Sequence, residues 1–93
     1  MKKMTEAAIE KRMADFPAWE YSDGGIHTTL EFENFKDAFA MMTRIAFEAE
    51  RLNHHPDWTN VYNKLSISLS THDADGLTEK DFQLAEFIQE MLG

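Results

Sequence analysis

Cysteine is absent from this chain, which removes disulfides and thiolate chemistry while leaving the compartment open. Long apolar runs are absent too: no stretch approaches the ~20 residues of a membrane-spanning helix. Positive charge is scarce, with 9 Lys and Arg against 17 Asp and Glu for a net charge of −8. Nucleic acids and anionic membranes attract the opposite sign, and no basic patch interrupts the acids, so neither is expected as a direct partner. Glycine is thin, 4 residues, and Gly24-Gly25 is too short and lacks the following lysine of a phosphate-binding loop. No serine sits in a nucleophile elbow, so covalent catalysis is not indicated. The opening MKKMTEAAIEKR has lysines but no apolar core behind them, so no secretion signal is read and a cytoplasmic location is expected.

What is present suffices for one domain spanning residues 1–93. Hydrophobic residues make up 43% and aromatics 12%, enough to pack a core rather than stay disordered. A chain of this size buries roughly two-thirds of its unfolded surface, a slim margin that oligomerisation would widen.

The pattern along the chain is αββαββα. Thr5 caps a first helix to Ala14, with Ile9 and Met13 on one face. Phe16-Pro17 ends it, and Trp19 to Tyr21 reads as a short strand before the Asp23-Gly24-Gly25 turn. Ile26, Thr28, Leu30 and Phe32 alternate as the second arm of a hairpin. From the Asn34 cap, Phe35, Ala38, Phe39, Met42, Ile45, Ala46, Ala49 and Leu52 follow helical spacing, with Met41 and Phe47 off the stripe. Trp58 to Tyr62 and Leu65 to Thr71 read as strands joined at Asn63-Lys64, Ser66, Ser68 and Ser70 forming a small polar face opposite Leu65, Ile67 and Leu69. A loop from Asp73 to Gly76 leads to a last helix capped by Thr78 with Asp81 as the reciprocal acid. The expected fold is α+β in two layers: a four-stranded antiparallel sheet with helices on one face.

The stretch NHHPDW, Asn53 to Trp58, is chemically distinctive. Adjacent residues diverge on a strand and lie ~100° apart on a helix, so paired imidazoles that serve one site need an irregular backbone. Pro56 supplies it by pushing His55 out of the α region. Hairpin arithmetic about Asn63-Lys64 brings His72 back towards His54 and His55. Glu50, four residues before His54, and Asp73 and Asp81 offer carboxylates that would fix an imidazole's tautomer, and imidazoles titrate in the range that general acid–base work needs. Trp58 stands where a planar molecule would stack. Three readings compete: solvated turn histidines, the reading that suits isolated His27; a zinc or iron site, for which adjacent histidines lack the i, i+4 spacing of the common motif; and a proton-transfer site around a neutral organic substrate.

The segment FEAERLNHHPDWTNVYNKLSISLSTHDADGLTEKDF resembles the pterin-4a-carbinolamine dehydratases. The motifs are Ala49-Glu50, Asn53-His54-His55-Pro56, Asn60-Val61-Tyr62-Asn63, Ser70-Thr71-His72-Asp73 and Gly76-Leu77-Thr78 with Asp81 behind. The resemblance is specific from about Phe32 to Ile88 and weaker through Phe16-Pro17-Ala18-Trp19. It implies a dimer or tetramer that needs no metal or cofactor and dehydrates a 4a-hydroxytetrahydropterin to a quinonoid dihydropterin, recycling pterin after aromatic amino-acid hydroxylation. It also implies His54, His55 and His72 as catalytic, with Asn53 and Ser70 to Asp73 against the pterin; Trp58 is expected to join them as the stacking ring, with Glu50, Pro56 and Asp81 in support. Family members also act as transcriptional coactivators, so a non-catalytic protein-binding module is the alternative. Two departures stand out: His27-Thr28-Thr29-Leu30, where a more aromatic or basic strand is expected, and the acidic loop Asp73-Ala74-Asp75-Gly76.

Overall fold

The structure, a computed structural model, describes residues 2–93. Its elements are α1 (Glu6–Met13), β1 (Glu20–Ser22), β2 (Gly25–Glu31), α2 (Phe35–Leu52), β3 (Asp57–Val61), β4 (Lys64–Leu69), a single 3₁₀ turn (His72–Ala74) and α3 (Glu79–Leu92). The four strands form one antiparallel sheet in the order β1-β2-β4-β3. This is the expected αββαββα architecture.

Period-two alternation sorts every strand residue to one of two faces. Ile26, Thr28 and Leu30 of β2 pair with Leu69, Ile67 and Leu65 of β4, and this side carries the core with Ile9, Phe16, Trp19, Ile45, Ala49, Phe82, Leu84 and Ile88. The opposite face is built of His27 and Thr29 against Ser68 and Ser66, flanked by Asp57 and Thr59 of β3. Among the described residues no helix covers it, and Thr29, Thr59 and Ser66 are exposed.

Helix ends follow their caps. The Thr5 hydroxyl accepts the Ala8 amide at 3.2 Å, and the Asn34 side chain accepts the Asp37 amide at 2.8 Å, each satisfying one of the amides a helix start leaves unpaired. On α2 the buried positions are Ala38, Ile45 and Ala49, with Met41 and Met42 packed beside them. The stripe is therefore narrower than the spacing implies: Phe35 and Phe39 lie at its rim, about half exposed, and Phe47 is 74% exposed. Tyr21 donates its hydroxyl to Glu6, tying α1 to β1; that bond, aided by desolvation, raises the phenol's pKa.

The β3–β4 hairpin differs in detail from the sequence expectation. Its turn falls on Tyr62-Asn63, since Val61 already pairs with Lys64. Tyr62 takes the left-handed conformation, φ 52°, and projects into solvent rather than into the core. The side chain of Asn60 holds the turn by donating to the carbonyls of Tyr62 and Lys64, and Asn63 donates to Phe32. These bonds compensate for the strained residue.

Adjacent residues of β4 should respond in opposite ways. Ile67→Ala empties a 1% exposed core position and is expected to cost about 2–5 kcal/mol. Ser66→Ala on the uncovered face should stay within about 0.5 kcal/mol. Urea unfolding with unchanged m-values checks both.

Candidate active site

The histidine corner begins where α2 stops. Asn53 adopts a left-handed conformation, φ 52°, and the His54 amide reaches back to the Ala49 carbonyl at 2.9 Å, a Schellman-type closure that satisfies the last carbonyls. Residues 54–56 then run without regular structure until β3 starts at Asp57. The two imidazoles part company here.

His54 turns inward. Its Nε2 lies 2.5 Å from Oδ1 of Asp81, whose side chain is fully buried. The other carboxylate oxygen of Asp81 accepts the Thr71 hydroxyl at 2.8 Å and the Thr78 amide at 2.9 Å. A carboxylate only accepts, so Nε2 of His54 carries the proton. Three donors from three segments thus satisfy one buried acid, as a buried charge requires.

His55 turns outward, with its Nε2 2.5 Å from Glu50 Oε2. Both partners are more than half exposed. The bond places a hydrogen on Nε2 and leaves Nδ1 as the acceptor of the neutral ring. Beside it opens a cavity of about 510 Å³, lined by His55, Pro56, Ser70 and His72 at one end and by Gly25, His27 and Ser68 across the sheet. That volume is in the range of small-molecule sites. Asp23 and Asp57 are its carboxylates, and no lysine or arginine lines it.

Of the residues marked from sequence, the cavity gathers His55, His72, Ser70 and Pro56. His54, Thr71 and Asp81 form the buried network behind it. Glu50 reaches the site only through His55. Asn53 caps α2, and Asp73 sits exposed in the 3₁₀ turn; neither lines the cavity. Trp58, read from sequence as a stacking ring, does not line this cavity. It pairs with Ile67 and packs on the core side, because β3 alternation sends Asp57, not Trp58, to the cavity face. His72 reaches the cavity although β4 ends at Leu69, as the chain bends into the 3₁₀ turn. His27, Ser68, Gly25 and Asp57 also line the cavity; only the β2–β4 register, which joins distant strands, brings the first two together. Among the described residues no group of three or more His, Asp or Glu is arranged to hold a metal ion.

Residues 2–91 match the family model described as pterin 4 alpha carbinolamine dehydratase. The chain belongs to this family. A Christiangramia forsetii protein named "Putative pterin-4-alpha-carbinolamine dehydratase" is 56% identical over 92 residues, covering 99% of this chain and 95% of its own. A Rhizobium meliloti protein of the same name is 52% identical over 85 residues, 89% and 82% of the two chains. Among solved structures, a Brucella melitensis "transcriptional coactivator/pterin dehydratase" superposes with a TM-score of 0.95 at 32% identity, covering 99% of this chain and all of that one. The fold is thus that of a pterin dehydratase family member throughout, and the cavity can be read against that family's chemistry.

The two imidazole–carboxylate pairs should differ sharply in stability. Asp81→Ala strips the buried network of its acceptor and is expected to cost about 3–5 kcal/mol. Glu50→Gln, at an exposed pair, should cost no more than about 1 kcal/mol. Chemical denaturation of both variants beside the unaltered protein measures the contrast.

Proposed function

We infer that this protein dehydrates a 4a-hydroxytetrahydropterin to a quinonoid dihydropterin by imidazole acid–base catalysis. The observation that carries the reading is that His55 and His72, from separate segments, line one cavity in a chain of this family.

Loss of the 4a-hydroxyl needs a proton on the departing oxygen, so that water leaves. The adjacent ring nitrogen supplies the electron pair and then sheds its own proton. One group gives a proton and one accepts it, and imidazoles have ordinary pKa values suited to both tasks. His55 and His72 fill these roles. Glu50 orients His55 through Nε2, and Ser70 and Pro56 shape the wall between. His54 acts from behind, its ring held on Asp81 away from the cavity. Such turnover would serve pterin recycling after aromatic amino-acid hydroxylation, in the cytoplasm and without a metal.

A second reading rests on a different surface. Phe35 and Phe39 stack at 5.6 Å between centroids, and with Phe47 they leave aromatic area exposed along α2. Such a face suits a protein partner or further copies in a homodimer or homotetramer. The Brucella melitensis neighbour named as a coactivator is consistent with this.

Stopped-flow decay of freshly generated 4a-hydroxytetrahydropterin tests the enzyme. Rate acceleration should survive a chelator and fall about 10²–10⁴-fold in His55→Ala and in His72→Ala. His54→Ala should lose stability first, its folded fraction keeping most of the rate. A His54→Ala loss as deep as that of His55→Ala, in folded protein, would move proton transfer to His54. No acceleration by the unaltered protein would leave the protein-binding reading.

A further inference from the structure

His27 and Ser68 stand on the uncovered face of adjacent strands, paired in register, and both line the cavity that holds His55 and His72. His27 is half-buried, and each of its ring nitrogens has a partner. Nε2 lies 3.0 Å from the backbone carbonyl of Ser22, and Nδ1 lies 2.8 Å from Ser68 Oγ. Gly25 leaves room for the ring: a Cβ there would come within 3.3 Å of His27 Cε1 and 2.9 Å of the Leu69 carbonyl.

The polarity of this chain follows from its first member. A carbonyl oxygen only accepts, so Nε2 carries a hydrogen. In the neutral ring Nδ1 is then an acceptor, and the only hydrogen Ser68 can offer it is its hydroxyl hydrogen. An isolated serine could either donate to a ligand or accept from it. Here the donor is committed, and Ser68 has only lone pairs left for the cavity. The carboxylates that line the cavity, Asp23 and Asp57, are also acceptors when ionised.

We propose that the Ser22–His27–Ser68 relay makes Ser68 an acceptor that selects the donor edge of the substrate, the edge bearing an amino group beside a ring N–H. This deepens the dehydratase reading and rests on it. Ser68 touches the ligand and sets specificity; His27 is a positioning residue that acts through Ser68. A ring in which the amino group is replaced by a carbonyl would set lone pairs against lone pairs and bind less well. Anionic substituents would meet the same disadvantage at Asp23 and Asp57.

The experiment compares binding of 7,8-dihydropterin with that of 7,8-dihydrolumazine, its 2-oxo counterpart, by calorimetry. It runs beside the stopped-flow assay on the unaltered protein. The unaltered protein should favour the amino compound. Ser68→Ala should weaken that compound alone by roughly three- to tenfold, the size of one neutral hydrogen bond, and Ser68→Thr, which keeps the hydroxyl, should restore it. His27→Phe should shift the preference in the same direction and add nothing on top of Ser68→Ala, as expected for groups acting in one chain. Unchanged preference in Ser68→Ala and His27→Phe, with dehydration intact in the unaltered protein, overturns the relay alone. Equal loss of both ligands also overturns it, since that reports packing rather than donor recognition. No acceleration and no binding by the unaltered protein overturns the dehydratase reading and the relay together.

Discussion

A single carboxylate with no access to water governs how this small protein is assembled. Asp81 lies one turn into α3 and is fully buried, where an ionised acid is tolerated only if its lone pairs are met by donors. The donors come from three places: the His54 ring beyond α2, the Thr71 hydroxyl beyond β4 and the Thr78 amide at the start of α3. Thr71 and Thr78 are also bonded to each other through their hydroxyls at 2.8 Å. The distant end of α2 and the nearer segments on either side of the 3₁₀ turn are thereby fixed to a common point. The segments that approach the cavity, the histidine corner and the Ser70–His72 bend, are the ones anchored there. The network's stability and the placement of His55 and His72 at the cavity are one constraint seen from two sides.

The sheet imposes a second constraint through its register. With one face committed to the core, every strand residue's neighbour is sent to the other face. On β2 and β4 that other face is His27, Thr29, Ser66 and Ser68, too polar and too small to be mistaken for an unpaired core. Polar side chains on an uncovered sheet cost little to leave in water, and they become available to a ligand without any rearrangement. The cavity is the end of this face where the Asp23–Gly25 turn, the histidine corner and the 3₁₀ turn rise around it.

Local signals in the sequence read well wherever one element decides its own geometry. Thr5, Asn34 and Thr78 mark helix starts because each offers a side-chain oxygen ahead of an apolar period, and helices begin at all three. Alternation in Leu65 to Ser70 separates the two faces of β4 correctly. What could not be read depends on pairing between distant segments. Trp58 is a plausible stacking ring until its register with Ile67 puts it on the core side. His27 is an isolated histidine until β4, not β3, becomes the neighbour of β2. The Tyr62-Asn63 turn lies one residue early because Tyr62 accepts a left-handed backbone that Asn63 would more readily adopt. Of the bonds that hold this turn, those from Asn60 are local and the one from Asn63 to Phe32 is tertiary.

The adjacency of His54 and His55 now has a physical explanation. A strand would also send two neighbouring imidazoles to opposite faces, but it would not turn the chain from α2 into β3 at the same point. The left-handed Asn53 and the proline at 56 break regular structure on both sides of the pair. Freed from either period, His54 spends its proton on a buried acid and His55 places its own on an exposed one. The same residue type therefore does two kinds of work at consecutive positions. Inward, the ring donates to a buried acid; outward, the ring donates to an exposed one and stands at the cavity.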